Sequence, residues 1–195
     1  MHRSTLTEDR LAAAETICSI YVSRGTTRVP IAELASAAGI SERTFHRYFP
    51  SKSDTVQPLF EENSRSVNSL LAESSGVRLR TTLSDAHEQM FGATRAARTA
   101  ALFPLLFKDR AMWSAFLGAL HDGELGLHPI LAARLKLDDS APRALAASGA
   151  FTAANRIALE QMVTFGADRR ETFEQVLDAF GAELFDPGQH GAATR

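Results

Sequence analysis

Among the 195 residues there is one cysteine, one tryptophan and two tyrosines. No apolar run approaches the roughly 18 residues that would suggest a membrane span. The lone cysteine, Cys18, rules out an internal disulfide and a multi-cysteine metal cluster. It falls on the apolar stripe of a first helix, where a small buried packing role outweighs a redox role. Neither sign of charge dominates: 21 Lys and Arg stand against 23 Asp and Glu, a net of −2. The chain is not a polycation, so any contact with nucleic acid needs positive charge gathered locally. Also missing are a Ser-centred nucleophile elbow, a phosphate-cradling Gly-Lys loop and a His-Glu zinc pair in helical register with a third ligand. The expectation is a protein that is not an enzyme and needs no cofactor. Near its start the chain carries Glu8, Asp9 and Glu15 and lacks an apolar core of secretory type, so the expected location is the cytoplasm, with no membrane partner.

What is present is helix. Hydrophobic residues make up 45% of the chain, enough for a sizeable core. No strand-like alternation, fixed-period repeat or low-complexity tract appears, and the expected class is all-α. Leu11, Ala14, Ile17, Cys18, Tyr21 and Val22 recur with helical period after a Thr7 cap, and Gly25 ends the run. Pro30 suits the first turn of the next helix. A longer helix is predicted over 53–72 with a bend near 54–58 imposed by Pro58. Further helices are predicted at 78–97, 99–107, 109–122, 129–136, 142–166 and 169–185. Pro104, Gly123, Gly126 and Pro129 punctuate them, and Gly166–Asp168 separates the last two. The domain division expected is 1–53, 54–186 and a loose tail at 187–195.

The most specific signal lies between Ile31 and Lys52, which reads IAELASAAGISERTFHRYFPSK. Ile31, Leu34, Ala35 and Ala38 share one side of a short helix. Gly39 breaks it with a positive φ, and Ser41 caps a second short helix while leaving its N-terminus open to a phosphate. Two short helices joined by a glycine turn make a helix-turn-helix, whose second helix is shaped for a DNA major groove. Phe45 and Phe49 are expected to pack, with Ile31, Leu34, Ala35 and Ile40, against Ile17, Tyr21 and Val22. The opposite face then shows Glu42, Arg43, Thr44, His46 and Arg47. Arginine can pair with guanine O6 and N7, threonine can touch a thymine methyl or a phosphate, and Tyr48 and Lys52 suit phosphate contacts. Residues 1–53 hold seven Lys and Arg against five acids, a local +2 that leaves −4 for the remainder.

Leu34-Ala35, Ala38-Gly39-Ile40-Ser41, Thr44-Phe45, Tyr48-Phe49 and Ser51-Lys52, with one helix before the motif and a long one after, make residues 7–56 resemble the TetR-like family of bacterial helix-turn-helix regulators. The chain departs from the family's habit at two positions. Pro30 replaces a threonine that caps and approaches a phosphate, and His46 replaces a tyrosine. The resemblance implies an N-terminal DNA-binding domain and a C-terminal helical domain that holds a ligand cavity. It also implies a homodimer paired through the last two long helices.

The residues themselves add support for these parts. Ala146, Ala147, Gly149, Ala150, Ala153 and Ala154 permit close helix contact, and Phe173, Val176, Leu177, Phe180 and Leu184 form a stripe. The expected dimer interface is Ala146, Ala150, Ala153, Phe173, Val176, Leu177 and Phe180, although both stretches would also complete a monomeric core. The middle of the chain is rich in large apolar groups with sparse polar anchors, as a small-molecule pocket requires. His87, Phe91, Phe103, Trp113, Phe116, Phe151 and Asn155 are the expected contacts for a mostly apolar effector. His121, Glu124 and His128 could align for zinc only on a continuous helix, which Gly123, Gly126 and Pro129 argue against, so no metal site is expected. The functional expectation is a ligand-responsive repressor that binds a palindromic DNA operator as a homodimer. The alternatives are a helical protein-interaction module or a small-molecule-binding enzyme.

Overall fold

The computed structural model describes residues 2–74, 76–92 and 95–185. The tail expected at 187–195 lies outside the described residues. Those described are α-helical, with short 3₁₀ turns and no strand among them. In order they are α1 (His2–Arg24), α2 (Ile31–Ala37), α3 (Glu42–Tyr48), a 3₁₀ turn at Lys52–Val56, α4 (Gln57–Glu73), α5 (Leu79–Phe91), α6 (Ala96–Lys108), α7 (Arg110–Leu135), α8 (Pro142–Phe165), α9 (Arg169–Ala179) and a 3₁₀ turn at Ala182–Leu184.

Helix ends follow local chemistry. α1 stops at Gly25, whose φ is 62°; its N–H bonds to the Val22 carbonyl at 3.1 Å and the next N–H to Tyr21 at 3.2 Å. This is the glycine C-cap anticipated for the first helix. α1 begins before the expected Thr7 cap. Asp168 caps α9 by accepting the Glu171 N–H at 2.7 Å.

Several helix boundaries differ from expectation: α5 ends at Phe91 short of the expected 97, and α9 at Ala179 short of the expected 185. Pro58 does not interrupt a helix; it occupies the second position of α4, where an absent N–H costs little. The bend becomes a change from 3₁₀ to α geometry between Val56 and Gln57. A further difference is α7, which runs unbroken through Gly123, Gly126 and Pro129. The carbonyl that loses its donor to Pro129 belongs to Leu125, whose residue is exposed, so water can satisfy it.

The chain divides into two compact units. The first comprises Met1–Ser64 and Thr94–His121, the second Arg65–Ala93 and Asp122–Arg195. In the first, α1 packs on α2, on α6 and on the 3₁₀ turn after α3. Its core holds Ala14, Ile17, Tyr21, Leu34, Phe45, Phe49, Val56, Leu106 and Phe116, each fully buried. Cys18 is buried among them, and desolvation pushes its thiol up to about 12, with a lowering by Arg98 and a smaller rise from Glu15. That thiol is a packing group. In the second unit α8 and α9 lie along each other and α5 packs on α9. Leu71, Leu83, Leu131, Ala147, Ala154, Ala158, Leu159, Phe173 and Leu177 fill its core.

One buried hydrogen bond ties the 3₁₀ turn after α3 to α1. The Thr55 hydroxyl donates to the Lys52 carbonyl at 2.7 Å, so the Tyr21 hydroxyl, 3.2 Å away, donates to Thr55 Oγ1. Tyr21→Phe keeps the ring and leaves Thr55 Oγ1 without that donor. Urea unfolding is expected to show a loss of about 1 kcal/mol, against roughly 3–5 kcal/mol for Tyr21→Ala, which also empties ring volume. Equal losses for the two would contradict a separate contribution from the hydroxyl.

Candidate nucleic-acid interface and interior sites

The geometry of α3 follows from its apolar residues. Phe45 and Phe49 are fully buried, their rings 5.2 Å apart and inclined by 64°. With these two inward, Glu42, Arg43, His46 and Arg47 are exposed. Gly39 has a φ of 67° and turns the chain between α2 and α3. Ser41 caps α3 by accepting the Thr44 N–H at 3.1 Å, and its hydroxyl donates to Thr44 Oγ1 at 3.0 Å. Pro30 precedes α2 with extended backbone and no side-chain cap. Lys52 is half-buried at the start of the 3₁₀ turn.

Tyr48 departs from the expected open phosphate contact: the residue is only 8% exposed. Its ring packs edge-on to Phe49 with centroids 6.1 Å apart, and the Arg47 guanidinium carbon stands 5.3 Å from its centroid. An Arg above a tyrosine face is favoured electrostatically and is restrained without losing its hydrogen-bonding edge.

Arg10 was not singled out from sequence. Its Nε donates to the Tyr48 carbonyl at 3.1 Å, its Nη1 to both carboxylate oxygens of Glu61 at 3.1–3.2 Å, and its Nη2 to Gln57 Oε1 at 3.4 Å. One guanidinium on α1 thereby ties the end of α3 to the first turns of α4. Partners 38 and 51 residues away leave no local signal.

The residues expected to line an effector pocket divide between the two units. Phe103, Trp113 and Phe116 belong to the first, in an aromatic cluster with Phe60 and Phe107 whose neighbouring centroids are 4.9–6.0 Å apart. His87, Phe91, Phe151 and Asn155 belong to the second. There His87 is stacked on Phe173, centroids 4.0 Å apart and planes 10° from parallel. Asn155 Nδ2 donates to the Phe151 carbonyl at 2.8 Å, which leaves its oxygen to accept from His87 Nδ1 at 2.7 Å. Nδ1 therefore carries the proton, and Nε2 accepts from the Arg169 guanidinium. Arg169 also pairs with Glu88 at 3.0 Å. Arg169 is a second residue that sequence reasoning did not single out.

The expected dimer positions are likewise split. Phe173 and Leu177 are fully buried and Ala150 nearly so, all within their own unit, and Phe173 spends its face on His87. These three cannot lie on an outward face. Ala146 and Phe180 are exposed, and Ala153 and Val176 are half-buried. Leu145 and Phe165 are exposed on α8, Phe165 by 73%. His128 Nε2 is 3.8 Å from Glu124 Oε1 on the continuous α7, and no metal-holding group occurs among the described residues.

Residues 15–57 match the family model of bacterial regulatory proteins, tetR family. The solved structures that share the fold include these three. A tetR-family transcriptional regulator from Streptomyces coelicolor is 18% identical, with 90% of this chain and 81% of that one covered and a TM-score of 0.55. A Rhodococcus sp. protein assigned to the same regulators is 12% identical, covers 92% and 99%, and scores 0.57. One from Mesorhizobium loti MAFF303099 is 15% identical, covers 92% and 96%, and scores 0.53. No curated protein sequence matches the chain. The chain thus shares the all-α fold of these solved structures, and its residues 15–57 carry the helix-turn-helix segment that the family model matches. No helix among the described residues is long and apolar enough to cross a membrane.

The His87 network sets a pH dependence. Burial, first of all, holds the imidazole down to about 4; Arg169 and Arg170 add to the lowering, while Asn155 and Glu88 oppose it. The unfolded chain takes up a proton below about pH 6.5 and the native state does not until about pH 4. Stability is therefore full above pH 6.5 and falls as the pH drops towards 4, by up to roughly 3 kcal/mol. Urea midpoints at pH 7 and pH 5 are expected to differ more for the native chain than for His87→Gln. An equal difference would contradict a neutral buried imidazole.

Proposed function

We propose that the protein is a ligand-responsive transcriptional repressor. It binds a palindromic operator in double-stranded DNA as a homodimer and is released by a mostly apolar small molecule; it catalyses no reaction. The observation that carries this reading is the division of α3, with Phe45 and Phe49 buried on one side and Glu42, Arg43, His46 and Arg47 exposed on the other. A capped helix with an arginine-bearing free face is suited to the major groove. Arg43 and Arg47 are the candidates for base contacts. Ser41, Thr44 and Lys52 suit the phosphates, and Tyr48 acts by supporting Arg47. A twofold protein places two such helices on a twofold site.

The outward residues of the last two long helices support the dimer. Ala146, Ala153, Val176 and Phe180, with Leu145 and Phe165, offer the small and apolar surface that a self-complementary helix pairing needs. For the effector, the first unit's aromatic cluster offers apolar walls at Phe103, Trp113 and Phe116. Release then requires that the effector prefer a state whose α3 helices no longer match the operator. The 3₁₀-to-α change at Val56–Gln57 and the Arg10 tie are the places where movement of α4 would reach α3.

Selection of bound sequences from random duplexes, then fluorescence anisotropy on the recovered site, tests the reading. A palindrome is expected, with affinity falling steeply as salt rises. Arg43→Ala or Arg47→Ala is expected to lose about 1–3 kcal/mol at a base-reading position. Phe180→Asp is expected to weaken binding by lowering the dimer population. Recovery of no common sequence, with binding unchanged by either arginine substitution, would overturn it.

A further inference from the structure

A second feature of the first unit is unrelated to the free face of α3. The turn after α1 and the turn between α6 and α7 enclose a cleft of about 320 Å³, lined by Gly25, Thr26, Thr27, Arg28, Leu105, Lys108, Asp109 and Arg110. The volume falls within the range of small-molecule sites. Arg28, Lys108 and Arg110 are exposed at its wall, and none makes an ion pair among the described residues.

The cleft's one carboxylate is already committed. Asp109 Oδ2 accepts the Thr27 hydroxyl at 2.6 Å, and Oδ1 accepts the N–H groups of Ala111 and Met112 at 3.1 and 3.3 Å at the start of α7. Burial raises the Asp109 carboxyl, but those bonds and the Lys52 charge carry it below its ordinary value. It stays ionised as an internal cap and tie, so one negative charge stands against the three cations of the lining. The cleft keeps an excess positive charge in a chain whose total is −2. Thr26 Oγ1 accepts the Arg28 N–H at 3.1 Å, which leaves its hydroxyl proton free to donate into the same space.

We propose that this cleft binds a small multiply charged anion, phosphate- or carboxylate-bearing, between Arg28 on one wall and Lys108 and Arg110 on the other. Two arginine forks and an ammonium suit oxyanion groups, and Leu105 supplies one apolar wall. A bound anion bridges the same two turns that Thr27 and Asp109 already join. It therefore stabilises the first unit by mass action. The proposal is independent of DNA binding by α3.

Isothermal titration of the full chain with pyrophosphate, and separately with citrate, is the test. Saturable binding of at least one of them at one site per chain is expected. Arg28→Ser with Arg110→Ser is expected to weaken it at least about tenfold, since two close charges are lost. Circular dichroism of that variant checks that it folds, and Lys108→Ser provides a milder second variant. Arg43→Ser with Arg47→Ser is expected to leave anion binding unchanged, which separates this cleft from the proposed reader helix. Absence of saturable binding of both probes overturns the proposal. So does binding unaffected by the cleft variants, or binding lost only when α3 is altered.

Discussion

The burial of Phe45 and Phe49 is the constraint on which the reading of the N-terminal segment rests. Two aromatic side chains four residues apart lie on one face of a helix, and a helix as short as α3 has little stability of its own. Its place and rotation come from packing those rings into the core with Ile17, Tyr21 and Leu34. Once they are inward, the helical period leaves Arg43, His46 and Arg47 no other direction than out. The cap at Ser41 and the positive φ at Gly39 set the start of α3, and the Tyr21–Thr55–Lys52 hydrogen bonds tie the turn that follows it to α1.

The second unit is organised on another principle. Its long helices meet along small residues, with Ala147, Ala154 and Ala158 fully buried, so backbones approach closely and little side-chain volume separates them. Specificity then comes from a polar element. Asn155 on α8, His87 on α5 and Arg169 at the start of α9 fit together in one protonation state. A largely buried network whose members hydrogen-bond to one another favours one arrangement of helices from the many that alanine surfaces would permit. Residues that read as ligand contacts from sequence, His87 and Asn155, here serve each other.

The helix-turn-helix was legible because its signals are local. A glycine turn, a serine cap and apolar spacing lie within 22 residues, from Ile31 to Lys52. The all-α class was legible for the same reason. What escaped depends on partners distant in sequence. Nothing near Arg10 indicates Tyr48 or Glu61, and nothing near Asp109 indicates Thr27, 82 residues away. Pro129 and the glycines of α7 read as breaks because their local cost is real; tertiary packing and the exposed position of Leu125 offset it. Phe173 and Leu177 showed a stripe, but a stripe does not say whether its partner is the same chain or another.

Photo-crosslinking most directly tests the claim that aromatic burial turns the charged face of α3 towards DNA. A photoreactive amino acid at position 46 is compared with the same residue at position 145, on the second unit, each bound to the selected duplex. Covalent attachment from position 46 and none from position 145 is the expected result. Attachment from 145 with none from 46 would show that α3 is not the surface that meets DNA.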